Sequence, residues 1–411
     1  MTLTPRLMND DEWLGFPTMV SSAFLSDPYS DPAAARRTLD VLERDRTLGV
    51  FDGDQLLGGG GILTRNLTLP GTGPRPVAAV THVGVRPDAR GRGTLTALMR
   101  AQLTDLHEHG RESIAVLWAS MATIYGRFGY GAASRRAALS VPGQAPFRPG
   151  APDGGTVGWV DEPDAAAPMR AIHALGAERT GWLSRPEASW RWWLADTERH
   201  RSGATAFRYA LHHPSGGGAP DGYAVFRAKP DWPARGPNYR LDIHELVARS
   251  PEAYAGLWRG LLGLDMVGQV GYDIVPLDDP IPLLLVNARA VLTEVSDALW
   301  VRLVDLDRAL VARRYAAPCD LVLAVTDRLC PWNAGRWRLR VASDGTAEVE
   351  PTSADPDLEC DIADLGAAYL GGTRLGALAG AGRVRELRPG AVRAASLAMA
   401  EDVEPYCLEV F

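Results

Sequence analysis

The pattern of hydrophobic and polar positions changes period sharply at one place in the first quarter of the chain. Val77, Ala79, Thr81, Val83 and Val85 share one face of a period-two alternation, which predicts a half-buried strand, and Pro87 stops it. Beyond the stop the period becomes helical: Leu95, Leu98, Met99, Leu103 and Leu106 fall on one side, Arg100, Asp105 and Glu108 on the other, and Gly110 ends the run. Between the two elements lie Arg90, Gly91, Arg92, Gly93 and Thr94. Backbone N–H groups at a helix start lack intrahelical acceptors, glycines let an anion approach the main chain, and arginines add charge-assisted hydrogen bonds. A pyrophosphate suits such a turn, although an ordinary basic turn before an amphipathic helix fits the same five residues.

The flanking pattern extends this into an α/β unit. Helices are predicted through Trp13 to Val20 and Ala33 to Leu42, and strands over Thr47 to Asp52 and Gln55 to Leu63. A short apolar run, Ser113 to Trp118, is placed beside the Val80 strand as part of a βαβ arrangement. Gly143 to Gly158 reads as a linker. A tryptophan-rich helix follows Ser184, Arg185 and Pro186, and then come strands around Tyr209, from Tyr223 and over Leu241 to Val247, and a helix from Ala253 to Leu264. That order repeats the first unit without its basic glycine loop. From Ala298 onward, L-W-V-R-L-V-D-L predicts a strand and then a helix, followed by an antiparallel meander and two more helices. The expected division is 1–148, 149–292 and 293–411, with α/β architecture in the first two units and α+β in the third.

Composition is that of an ordinary globular chain, with 46% hydrophobic and 23% charged residues over 411 positions. No apolar run reaches the roughly eighteen residues of a membrane span and the N-terminus lacks a basic-then-apolar leader, so membrane association is not expected and a cytoplasmic location is. The four cysteines include no C-x-x-C pair and read as reduced thiols, and the eight histidines are scattered, so no metal site is predicted. A net charge of -7 disfavours nucleic acid as a partner and accommodates a cationic one.

Candidate chemistry enters with A-S-M-A-T-I-Y-G-R-F-G-Y-G, residues 119–131. Tyr125 is a phenol of ordinary pKa about 10, near enough to a thiol of about 8.5 to protonate a departing thiolate; packing at a domain edge is the competing reading. The strand, the Arg90-to-Gly93 loop and the helix resemble the acetyl-CoA signature of GNAT N-acetyltransferases, R-x-x-G-x-G/A, with Leu95 standing where Gly or Ala is usual. The whole chain resembles the Eis (enhanced intracellular survival) family, most specifically in I-Y-G-R-F-G-Y-G, in D-A-L-W-V-R-L-V-D at Asp297 to Asp305, and in ending on an aromatic residue.

That resemblance implies tandem acetyltransferase folds, the second degenerate, followed by a sterol-carrier-protein-like domain. It implies acetyl transfer from acetyl-CoA to amines of a cationic small molecule of the aminoglycoside type, a drug-modifying activity, by a homo-oligomer, expected to be a hexamer. By the same resemblance Tyr125 is the general acid and the α-carboxylate of Phe411 the base. Val83, Val85, Arg90, Gly91, Arg92, Gly93, Thr94 and Ser120 hold the cofactor, and Phe24 and Asp27 face the acceptor. Glu409 joins them through the acidic ending E-D-V-E-P-Y-C-L-E-V-F, which favours a cationic substrate or is simply a solvated tail. Two other readings stay open: an acetyltransferase acting on protein lysine or polyamines, and a lipid-binding protein with a vestigial transferase site.

Overall fold

The structure is a computed structural model that describes residues 3–26 and 32–411. Contacts divide the chain into two compact units, one comprising Met1–Ser134, Leu183–Leu194 and Ala298–Phe411, the other Arg135–Trp182 and Ala195–Asp297.

The first unit is built on a seven-stranded sheet among the described residues, in the order Leu3–Leu7, Thr47–Asp52, Gln55–Leu69, Gly73–Val85, Ile114–Trp118, Leu299–Leu303 and Gly131–Ala132. The alternation from Val77 belongs to the long strand Gly73–Val85, and the apolar run to Ile114–Trp118, lying parallel to it as expected. The helical pattern becomes Thr94–His109, capped by Gly110 at φ 62°. Its buried Leu98, Met99, Leu103 and Leu106 close one face of the sheet together with Val80, Leu117 and Tyr130.

On the opposite face, Phe16, Leu63 and Val77 share a continuous core with Leu321, Leu365 and Met399. The C-terminal residues add a five-stranded sheet in the order Ala347–Pro351, Gly335–Val341, Cys319–Thr326, Leu358–Asp361 and Arg385–Glu386. Helix Ile362–Ala368 packs directly on the strand Gly131–Ala132, where Gly131 has no room for a Cβ: one would meet the carbonyl of Ala363 and the backbone of Ala367.

The second unit also has a seven-stranded sheet among the described residues, ordered Leu292–Asp297, Arg135–Pro142, Val267–Val275, Tyr239–Ala248, Gly222–Lys229, Arg208–His213 and Thr156–Val160. Trp258, Leu257, Leu261 and Leu262 of helix Pro251–Leu262 fill its core with Phe226, Leu241 and Val270.

Local pattern does not reveal which sheet each strand joins. Arg135–Pro142, expected with the first unit, pairs with Val267–Val275 and Leu292–Asp297 in the second. Leu299–Leu303, expected with the C-terminal meander, pairs antiparallel with Ile114–Trp118 and Gly131–Ala132 in the first. The tryptophan-rich segment Leu183–Leu194 likewise belongs to the first unit, where the Leu67–Leu183 bridge and the Asn66–Ser184 hydrogen bonds fasten it to the long strand Gln55–Leu69.

Candidate active site

A cleft of about 650 Å³ opens where two parallel strands part. Gly73–Val85 and Ile114–Trp118 are paired only at Ala78–Ala115 and Ala79–Val116. Beyond that point they diverge, and the space between them is lined by Val83, Gly84 and Val85 on one side and Ser120, Met121, Ile124 and Tyr125 on the other. A strand edge left without a partner strand offers main-chain donors and acceptors to an extended ligand. Val83 and Val85 stand on that edge.

The floor is the loop Arg90 to Thr94 and the first helical turn. Gly91 and Gly93 have φ of 74° and 89°, a left-handed conformation that side chains resist. Gly93 occupies the cap position and its carbonyl accepts from the N–H of Ala97 at 2.9 Å. The Arg90 guanidinium reaches across to the carbonyl of Ala23 at 2.9 Å, tying the loop to the end of helix Asp10–Ala23. Arg90, Gly91, Gly93 and Thr94 line the cleft, and Leu95 lines it too, from the first turn. With Val83, Val85, Met121 and Ile124 forming apolar walls and Arg90 and Arg127 supplying positive charge, the cleft suits a ligand with an apolar arm and an anionic end.

Tyr125 closes the short helix Ala122–Tyr125, is 5% exposed, and meets Tyr130 edge-on at 6.0 Å between ring centroids. Burial pushes its phenol up to about 12, above the ordinary value assumed from sequence, so it keeps its proton throughout the neutral range. The turn behind it is shaped by a residue from far along the chain. A Cβ on Gly129 would collide with the guanidinium of Arg302, which is wholly buried and paired with Asp327 at 2.6 Å. The strand carrying Arg302 comes from D-A-L-W-V-R-L-V-D, so that motif supports the tyrosine turn.

Ser120 lies exposed in the cleft and Phe24, half exposed, stands at its rim. Asp27 lies outside the described residues. The carbonyl of Glu409 accepts from the indole N–H of Trp118 at 2.8 Å, which brings the last residues to the end of the strand that leads into Ser120. Phe411 packs, partly buried, against the core of this unit. Glu409 is placed differently from the expectation of an acceptor-facing carboxylate. It is 4% exposed, and its Oε2 accepts from Nε of Arg185 at 2.7 Å. With its charge balanced inside the fold, it presents no open anionic surface to a cationic substrate.

Sequence reasoning passed over His82. This residue has φ 50° and sits where the pairing with Gln55–Leu69 shifts register between Gly59 and Gly61, beside cleft-lining Val83. Its Nδ1 lies 3.0 Å from the Thr81 hydroxyl, and burial lowers its pKa to about 4, so the imidazole is neutral at pH 7. A histidine inside V-T-H-V carries no local signal of a bulge.

A glycine-loop cleft between splayed strands, with a buried tyrosine at its wall, defines a GNAT-type acetyltransferase. Residues 4–133 match the acetyltransferase (GNAT) domain, 181–307 match a second acetyltransferase (GNAT) domain, and 306–408 match the sterol carrier protein domain. The chain is 38% identical to an uncharacterized N-acetyltransferase of Streptomyces avermitilis over 99% of both chains. It is 33% identical to the N-acetyltransferase Eis of Mycobacterium tuberculosis over 98% of both. The crystal structure of Eis1 from Mycobacterium abscessus superposes with a TM-score of 0.84 at 35% identity, covering 99% of this chain and all of that one. The chain belongs to the Eis family of N-acetyltransferases. It is an acetyltransferase with two GNAT domains and a C-terminal sterol-carrier-like domain, and acetyl-CoA is its cosubstrate.

Proposed function

We propose that this enzyme acetylates amines of a cationic small molecule of the aminoglycoside type, at one or several positions, with Tyr125 as proton donor and the α-carboxylate of Phe411 as the group that receives or attracts the amine's proton. The observation that carries the reading is a cleft lined by both the Arg90-to-Thr94 loop and Tyr125, with the C-terminal segment bonded through Glu409 to Trp118, at the end of the strand that leads into cleft-lining Ser120. The amine attacks the thioester carbonyl, the C–S bond breaks, and the departing sulfur takes a hydrogen bond or proton from the phenol. Complete transfer from a phenol near 12 to a thiolate whose thiol is near 8.5 is uphill by about 5 kcal/mol, so Tyr125 acts while the bond is breaking rather than after it. An exposed α-carboxylate, with a pKa of about 3.5, is a weak base. Its value at the cleft lies in attracting an ammonium group and orienting it.

Phe24 at the cleft rim supports an acceptor with apolar faces between its amines, and Asp27 is retained as its acidic neighbour. The family resemblance supports a hexamer in the cytoplasm. Protein lysine and polyamines are the alternative acceptors. The lipid-binding alternative is disfavoured by the interior of the C-terminal domain. The apolar cavity among Leu321, Leu323, Leu358, Leu375 and Met399 measures about 10 Å³, no larger than one water needs and far below an acyl chain. Thiol release from acetyl-CoA, measured across aminoglycosides, polyamines and lysine peptides, tests the proposal. Turnover confined to peptides would move the acceptor to protein lysine, and no turnover with any of the three would remove the proposed substrate class.

A further inference from the structure

Arg185 is an unusual residue to find in the interior. Its side chain has 0% exposure, and its guanidinium lies over two indole rings, 4.4 Å from the centroid of Trp190 and 5.1 Å from that of Trp193. Its Nε donates to Glu409 Oε2 at 2.7 Å. A second buried arginine, Arg65, donates to the Ser189 hydroxyl at 2.7 Å, and its charge interacts favourably with Glu409. The aromatic faces and the carboxylate together hold one cation in one orientation.

The pair joins three stretches far apart in sequence. Arg185 stands at the start of the short segment Leu183–Leu194, which is fastened to Gln55–Leu69 through Leu67–Leu183 and through the Asn66–Ser184 hydrogen bonds. Glu409 lies two residues from the end of the chain. Its side chain is held by Arg185 and its carbonyl by the Trp118 indole at 2.8 Å and the Cys407 thiol at 3.3 Å. Val410 and Phe411 follow it, and two residues reach at most about 7 Å. Fixing Glu409 therefore confines Phe411 to a small volume at the end of the strand that leads to Ser120. Two buried ions add little net stability over a well-packed apolar pair, whereas they fix orientation strongly.

We propose that Arg185 is a positioning residue for acetyl transfer: by gripping Glu409 within the Trp190 and Trp193 cage, it aims the Phe411 carboxylate at the acceptor amine. This rests on the reading that the terminal carboxylate takes part in the reaction.

Four full-length proteins test it: wild type, Arg185→Gln, wild type with one glycine appended after Phe411, and the combination. Thiol release gives kcat and the KM for acetyl-CoA. Appending the glycine is expected to lower kcat at least tenfold, and Arg185→Gln to lower it by about 30-fold with KM for acetyl-CoA within about twofold, since misplacing a reacting group by about 1 Å costs on the order of a hundredfold. In the extended chain, Arg185→Gln should change kcat by less than about twofold, because the carboxylate it aims has already been displaced. Arg185→Lys, which keeps the charge and loses the planar fork, should recover part of the rate. An unchanged kcat in Arg185→Gln overturns the inference, as do effects that multiply in the combination. If the appended glycine leaves kcat intact, the terminal-carboxylate reading itself fails, and the inference with it. Should Arg185→Gln not fold, Glu409→Gln, which keeps the side-chain volume and an acceptor oxygen, takes its place in the same cycle with the same expected and overturning results.

Discussion

Tyr125 owes its chemical state to where the fold puts it. At 5% exposure the phenolate is poorly solvated, and the phenol rises to about 12. A proton donor acts in its protonated form, so a raised pKa extends activity towards higher pH. An ordinary phenol would be half ionised near pH 10, whereas this one stays about 99% protonated there. Measured up to pH 10, kcat/KM for acetyl-CoA should show no downward bend belonging to Tyr125; a fall with a midpoint below 10 would contradict the assignment. Tyr125→Phe removes the donor and keeps the ring against Tyr130, so kcat should drop by about a hundred- to a thousandfold while KM for acetyl-CoA changes by less than about threefold. I-Y-G-R-F-G-Y-G singles this tyrosine out as a candidate, but its acidity was not legible there, because a desolvation energy depends on neighbours that the local sequence does not name.

Among the elements, the loop and helix from Arg90 to His109 follow most directly from the local sequence. The switch from period two to period 3.6 places both boundaries, and the glycines occupy the left-handed positions the turn requires. Gly93 has open space around its Cβ position, with only Leu3 at 3.7 Å, so the cost of a side chain there is conformational rather than steric. Gly93→Ala should therefore strain the cap by about 1–2 kcal/mol. Relieving that strain shifts the first turn, and the KM for acetyl-CoA should rise about tenfold with kcat within twofold; steady-state kinetics at saturating acceptor would show it. The opening of the cleft is a property of two elements together. Neither Gly73–Val85 nor Ile114–Trp118 announces in its own residues that their pairing ends at Ala79 and Val116.

For the whole molecule, the consequential feature is that the C-terminal segment completes the first unit instead of standing beside it. Leu299–Leu303 supplies a strand to its sheet, Arg302 shapes the Tyr125 turn from below, and Leu321, Leu365 and Met399 share its core. Ending the chain at Asp297 should therefore leave a first unit without a fixed tertiary structure. The expected outcome is aggregation, or a species with strong ANS binding and weak near-UV circular dichroism. A monodisperse fragment with native-like near-UV signal would show that the C-terminal strand is dispensable. The sterol-carrier-like residues thus share the core of the unit that carries the cleft.

Sequence alone determined what depends on near neighbours: the strand–loop–helix of the candidate cofactor site, the candidate tyrosine, the succession of two GNAT folds and a sterol-carrier-like one, and, through its motifs, the Eis family. Hydrogen bonding and burial within a few residues are written in local period and turn chemistry. Tertiary structure decided what depends on residues distant in sequence. It assigned Arg135–Pro142 and Leu299–Leu303 to their sheets, parted the strands that form the cleft, strained His82, and directed Glu409 to Arg185 rather than to a substrate. A carboxylate near the end of a chain looks the same in sequence whether it faces water or a buried guanidinium. Only the packing of Leu183–Leu194 against the first unit distinguishes the two.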